Sequence, residues 1–530
     1  MERAHSRAWL AAGATAACLS LILSGCGGSG SGRHLVHEGC SADPPARIKD
    51  NFKEPEVLVS KDGVLETTLD ASYGPVEING AKYTTMNYNG AFPGPTLVVC
   101  PGDTLIVHLK NDLGAAPMTW MQGPPMHGMP MGAGQLTNLH THGLHVSPNG
   151  NSDNVFVSVS PGQSFTYEYH IPKTHTPGLD WYHPHRHGFV ENQIYAGMFG
   201  VLDIQGGLDN LPELRNFPVR TLTIASLELG SRNAKTPVVV PTPKSLTLDS
   251  PYFVNGQQNP EIDIRPGEVQ RWQILNTNDN AIVRLGLQEH LFYVLANDGI
   301  SLGRISPQHT LLLGPGERRE VLVEGGPAGT YRLQSLAFEQ FQDKAPSVNL
   351  VPETTIATLR TDGPAQHDSI PTEKLATPVD LRGKKIDQFH RLVFTEKKNK
   401  VEGGFDFLIN HKLFDPNRVD EVMTLGQINK WTLVNKTTEW HTFHIHINDF
   451  QVVSVKAPPL ANVSSGPSGV LDVPPGDIDP SDTVLMPPHS TIKLLTRPTD
   501  FTGRFVYHCH MTFHEDHGMM GVVRVVAPNP

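Results

Sequence analysis

Apolar residues in this chain come in short runs, broken at close intervals by Gly, Pro, Asn and Asp. That pattern predicts short strands joined by turns, an all-β protein. The strands recur. A turn glycine stands nine residues before an asparagine, with a strand between, at Gly102 to Asn111, Gly267 to Asn276 and Gly426 to Asn435. Asn89-Gly90 and Asn255-Gly256 precede the first two, and Ile409-Asn410 precedes the third. Downstream, Pro161, Pro315 and Pro488 each open a strand, and after Gly178, Gly329 and Gly503 comes another containing Trp181, Tyr331 or Phe505. Three copies of one β-domain are expected, over residues 51–206, 217–363 and 386–530. Links fall at Gly206 to Phe217 and in the polar stretch Gly363 to Lys385.

The copies differ in what they carry. Five and seven residues after the closing glycine, the first has His183 and His185 and the third has His508 and His510, where the middle copy has Gln334 and Leu336. The middle unit reads as the same fold without ligands. Two further pairs, His140-Thr141-His142 and His444-Ile445-His446, lie in the first and third copies. Alternate residues of a strand share a face, so each His-x-His pair presents both rings together. Eight convergent imidazoles suit copper, zinc or iron. One such pair is commonly incidental in a chain with 26 His, but four at matched points of a repeat are not.

The stretch from Tyr507 to Met520, read as the last strand and the loop after it, gathers a thiolate, imidazoles and a thioether. On that strand His508 and His510 point one way and Cys509 the other. His441 lies an odd number of residues from His444 and so faces away from it, toward Cys509 and His514. With Met519 as a weak axial donor, this is the ligand set of a blue-copper electron-transfer site.

Composition supports this reading and narrows the compartment. Length alone, 530 residues, implies three or four cores at about 150 residues each. Gly (49) and Pro (44) abound, as in an all-β chain. A net charge of −11 without a Lys/Arg-rich stripe excludes nucleic acid as the expected partner. Arg3, Arg7 and the apolar run Ala8 to Leu23 read as a secretory signal over 1–25. Leu23-Ser24-Gly25-Cys26 resembles a bacterial lipobox, followed by a Gly/Ser-rich flexible tether over 26–50. Lipid on Cys26 would hold an exported protein at the cell envelope, outside the cytoplasm. An ordinary signal peptide is the alternative. Of the remaining cysteines, Cys40 and Cys100 form either a disulfide or two unlinked thiols, and Cys509 is left over as a metal thiolate should be.

The motifs His140-x-His142-Gly143, His183-x-His185, His441-x-x-His444-x-His446 and His508-Cys509-His510-x-x-x-His514-x-x-x-x-Met519 resemble those of the multicopper oxidases over essentially the whole mature chain. The resemblance implies three consecutive cupredoxin-like Greek-key β-barrel domains and four copper ions. His441, Cys509, His514 and Met519 would hold a type 1 copper, His140 and His444 a type 2 copper, and His142, His183, His185, His446, His508 and His510 a type 3 pair. The implied activity is one-electron oxidation of a substrate coupled to reduction of dioxygen to water, with proton relays at Asp153 and Glu515. Asp153 lies two residues further from its histidine than in several relatives, and an exposed loop residue is the alternative. Met519, where some high-potential laccases carry Leu or Phe, leans toward metal ions or easily oxidised organics as donors; cuprous ion and a role in copper tolerance are the favoured expectation, with phenols and aromatic amines the alternative. A copper-free binding protein on the same scaffold would have lost these motifs.

One insertion stands apart. Met118, Met121, Met126, Met129 and Met131 fall among Gly and Pro that preclude a regular helix. Thioethers favour Cu(I), so the loop is expected to capture cuprous ion, with an adaptable apolar loop as the alternative. Met-rich segments of copper-efflux oxidases lie elsewhere in the chain.

Overall fold

A computed structural model describes residues 47–48, 50–115, 135–235, 237–239, 250–340, 350–372, 374–399, 404–458 and 479–528. Strands dominate them, as the turn-broken apolar runs predict. Six larger sheets fall into three consecutive pairs along the chain. In the first unit a sheet ordered Val57–Val59, Thr96–Val99, Gly200–Ile204, Gly178–His183, His140–His142 lies with one ordered Ala81–Tyr88, Val64–Ile78, Thr104–Asp112, Ser164–His170. In the third, Glu421–Thr424, Met520–Val526, Gly503–Cys509, His441–Ile445 and Thr483–Met486 form one sheet. The middle unit repeats that order with Glu261–Ile264, Thr354–Thr361, Gly329–Ser335, Val283–Leu287 and Thr310–Leu313. Each unit has its own apolar core.

The repeated asparagines explain why the repeat exists. Asn111, Asn276 and Asn435 end the strands Thr104–Asp112, Val269–Asn276 and Asn429–Asn435 or stand one residue from the end, and all three are buried. Each amide donates to two or more backbone carbonyls: Gln135 and Val159, Ala281 and Leu313, Glu439, Met486 and Pro487. Each side-chain oxygen accepts from the backbone N–H two residues on, at Leu113, Asn278 and Thr437. One side chain thus satisfies the orphaned backbone of a buried crossing, which an apolar residue cannot do. The strands opened by Pro161, Pro315 and Pro488 begin three residues later, at Ser164, Arg318 and Thr491.

Three expectations need correction. The strand bearing His508 and Cys509 is not the last, because Met520–Val526 returns antiparallel beside it. His514 sits on a short helix, Thr512–Asp516, rather than in a loop. The tether expected over 26–50 also ends early: Arg47 bridges to Val219, Asp50 pairs with Arg220, and Phe52 packs into the middle unit's core. Among the described residues no helix is long and apolar enough to cross a membrane.

Candidate metal centre

The register between two strands sorts the ligands. Gly503–Cys509 runs antiparallel to His441–Ile445 so that Phe443 stands opposite Cys509 and His444 opposite His508. Opposed residues share a face. His444 and His508 therefore look one way, while Cys509 and His441 look the other, as strand parity requires.

On the Cys509 face, Sγ lies 3.7 Å from His441 Nδ1 and 3.6 Å from His514 Nδ1, and the two ring nitrogens are 3.1 Å apart. All three residues are buried. The helix Thr512–Asp516 delivers His514, whose ring stacks on Phe407 at 4.1 Å. The chain then turns at Gly518, at φ 107, where a Cβ would lie 2.4 Å from Leu413 Cδ2. Only glycine fits that turn. It returns Met519 to Cys509, whose N–H donates to the Met519 carbonyl at 3.0 Å, and Met519 is fully buried in the same core. Outward of the rings, Thr437 Oγ1 lies 2.8 Å from His441 Nε2 and Glu439 Oε2 lies 3.3 Å from His514 Nε2. Burial opposes charge on His514, but the Cys509 sulfur and Glu439 hold its pKa up to about 10. A metal at Nδ1 must displace that proton.

The opposite face meets the first unit. His140 stacks on His446 and His142 on His444, each pair with ring centroids 3.7 Å apart. The Nε2 atoms of His185, His446 and His508 converge within 3.0 to 3.2 Å. His510 approaches His142 and His183 at centroid distances of 4.9 and 5.3 Å. The structure brings together all eight imidazoles, every one buried. Burial pushes His140, His142, His183, His446, His508 and His510 well below the usual imidazole range, and His185 to about 3. Neutral rings are what metal ligation needs.

Asp153 and Glu515 both reach this cluster. Asp153 is buried, not an exposed loop residue: His140 Nδ1 lies 2.9 Å from Oδ2, and the Thr141 N–H donates to Oδ1 at 3.0 Å. Glu515 Oε2 lies 3.0 Å from His508 Nδ1 and Oε1 3.5 Å from His185 Nε2. Burial raises both acids to about 7. Sequence reasoning missed Asp482, whose Oδ1 lies 3.1 Å from His142 Nε2 and whose carbonyl oxygen lies 2.8 Å from His444 Nδ1. Its neighbour Thr483 pairs with His444 across the sheet, but the distance in sequence leaves no local signal. Thr437 and Glu439 were missed too, although each stands two or four residues before His441.

These residues fit copper. His140, His183 and His444 each engage Nδ1 and leave Nε2 buried without a partner; His142 engages Nε2 and leaves Nδ1 bare. A buried polar atom with no partner is costly unless something occupies it. One nitrogen held and the other free is the mark of an oriented ligand. Thiolate, imidazole and thioether donors are copper's preferred set. Met118, Met121, Met126, Met129 and Met131 lie outside the described residues, as do Cys26 and Cys40. Cys100 is disulfide-bonded.

Two family models, both described as multicopper oxidase, match residues 379–529 and 70–131 with 130–208. A multicopper oxidase of Staphylococcus aureus is 26% identical over 490 residues, 90% of this chain and 93% of its own. A laccase of Bacillus subtilis (strain 168) is 24% identical, over 83% of this chain and 90% of its own. Among solved structures, a multicopper oxidase from Campylobacter jejuni titled a metallo-oxidase superposes with TM-score 0.69 at 22% identity, covering 92% of this chain and 99% of its own.

Proposed function

We propose, from the premise that this chain belongs to the multicopper oxidase family, that its electron donor is cuprous ion and its role copper tolerance. The protein is a copper-dependent oxidoreductase with three cupredoxin-like domains. In this reading His441, Cys509, His514 and Met519 hold a type 1 copper. His140 and His444 hold a type 2 copper, and His142, His183, His185, His446, His508 and His510 hold a type 3 pair, four ions in all. Bound copper supplies one-electron exchange with the donor and reduction of dioxygen to water.

The observation that carries the reading is the two-faced strand. Cys509 lies between His508 and His510 in sequence and opposite Phe443 in register, so a few covalent bonds join the thiolate pocket to the imidazole cluster. Glu515 and Asp153, each near pKa 7, hold protons beside the cluster at neutral pH and release them to reduced oxygen. The Glu439 carboxylate, 3.3 Å from His514 Nε2, supports a cationic donor, which it attracts. Soft Met donors at 118, 121, 126, 129 and 131 support capture of Cu(I) by that loop. The Leu23 to Cys26 motif supports lipid anchoring at the envelope. Phenol oxidation is the second reading, favoured by the laccase relative.

Oxygen uptake by the copper-loaded protein, compared across Cu(I), Fe(II) and a phenol at fixed free copper, tests the donor. Cu(I) is expected to give the highest kcat/KM. A higher value for the phenol would replace this reading with the second.

A further inference from the structure

Arg318 is fully buried and opens the strand Arg318–Glu324 of the middle unit, the unit that supplies none of the eight imidazoles. Its guanidinium nevertheless reaches the other two. Nε donates to the Leu179 carbonyl at 2.9 Å and Nη2 to Asp180 Oδ1 at 3.0 Å, both in the first unit. Nη1 and Nη2 donate to the two carboxylate oxygens of Asp482, in the third, at 2.9 and 2.7 Å. This is the two-pronged geometry that Arg forms and Lys does not. Asp482 in turn faces His142 Nε2 with its carboxylate and His444 Nδ1 with its carbonyl. Asp298, also of the middle unit, accepts from the backbone N–H groups of Arg318, Asp482 and Thr483, which holds the Asp482 strand in place.

The turn before Arg318 makes a second, independent approach. Gly316 has φ 84, and a Cβ there would lie 3.0 to 3.1 Å from the ring atoms of His510. The glycine that follows His142 belongs to the same arrangement. A Cβ on Gly143 would fall 2.0 Å from Asp180 Oδ1 and 2.6 Å from Arg318 Nη2. Gly143 thus leaves the space in which the Arg318–Asp180 pair meets.

We infer that the Gly314–Arg318 turn of the ligand-free middle unit positions the imidazole cluster, Gly316 by abutting His510 and Arg318 by orienting His142 and His444 through Asp482. Arg318 is a positioning residue and touches no reacting atom. Because Arg stays charged at any working pH, the clamp is permanent. The inference rests on the reading that the eight imidazoles hold copper. It adds that the Gly314–Arg318 turn, in a unit that lacks ligands, is required for the cluster's metal affinity, whereas the Cys509 site meets other parts of that unit, with Asp279 and Asn280 bonding Thr512 and Phe513.

Copper content, copper affinity by chelator competition and optical and paramagnetic spectra of the full chain test it, using Arg318→Lys, Gly316→Ala and the control Arg271→Lys. Arg271 is also buried and pairs with Asp209 and Glu320, and neither acid faces an imidazole. R318K and G316A are expected to keep the blue absorption of Cys509-bound copper and to weaken cluster copper by roughly 10- to 100-fold. R271K is expected to lower the melting temperature alone. Cluster affinity in R318K and G316A equal to wild type, or loss of both copper classes in all three variants, overturns the inference. If R318K does not accumulate as folded protein, G316A decides by the same readouts. Wild-type protein that takes up copper only at the Cys509 site would instead overturn the eight-imidazole reading, and the inference with it.

Discussion

The rings of His142 and His444 stack at 3.7 Å and 17°, although one belongs to the first unit and the other to the third. His140 and His446 repeat the relationship at 3.7 Å and 13°. Each unit supplies one ring of each stack, so neither holds the cluster alone. Both faces of one strand then serve two centres, and the consequences separate cleanly by residue.

Cys509→Ser removes the thiolate but leaves His508 and His510 in place. The variant is expected to lose its blue absorption and its oxidase activity with every donor while retaining copper at the imidazole cluster. Retained activity with any donor would show that electrons enter by another route.

Glu515→Gln preserves size and removes the proton. With a pKa near 7, Glu515 is protonated below neutrality and a donor there, and its donor fraction falls about tenfold per pH unit above 7. The variant is expected to lower kcat by about 10²- to 10⁴-fold with the Cys509 spectrum unchanged, and to flatten the fall of kcat above neutrality. An unaltered pH profile would assign proton delivery elsewhere.

Copper uptake at the Cys509 site should depend on pH with a definite sign. The proton on His514, held up to about 10, competes with the metal, so affinity rises with pH and does so until that value is passed. Between about pH 6 and 8 the apparent affinity is expected to rise about tenfold per unit for one proton released. Glu439→Gln removes one of the groups that hold the proton and should reduce the slope at the upper end. Calorimetry in buffers of differing ionisation enthalpy counts the protons, and a count of zero would contradict the assignment.

Asn276→Ala removes the side-chain clamp of the middle unit, while its backbone carbonyl still accepts from the Gly316 N–H beside His510 at 2.9 Å. The Ala281 and Leu313 carbonyls and the Asn278 N–H lose their partner. Each buried group left unsatisfied costs about 1–3 kcal/mol, so a lowered melting temperature is expected, with copper spectra unchanged at room temperature. A melting temperature within error of wild type would mean that water replaces the amide.

The sequence by itself determined the strand faces and the repeat, which depend on covalent neighbourhood. Strand parity is local, so it assigned His508 and Cys509 to opposite faces and put His441 with Cys509, and the register agrees. The repeat was legible because three crossings need the same asparagine. Boundaries were less legible. The strand Met520–Val526 was missed because Gly518 and Met519 reverse the chain in a turn set by packing against Leu413. Arg47 and Asp50 read as tether because their partners, Val219 and Arg220, lie far along the chain.

Only the tertiary structure decided which faces meet. Asp153, read as a relay or an exposed loop residue, is buried because its carboxylate accepts from Thr141 and faces His140. Asp482, Arg318 and Glu439 carry no motif, since nothing near them in the chain announces the side chains they meet. The sequence assigns the candidate ligands of each unit, but they converge only where the first and third units close on each other against the middle one. A hydrogen bond or stack depends on distance in space, and distance along the chain does not encode it.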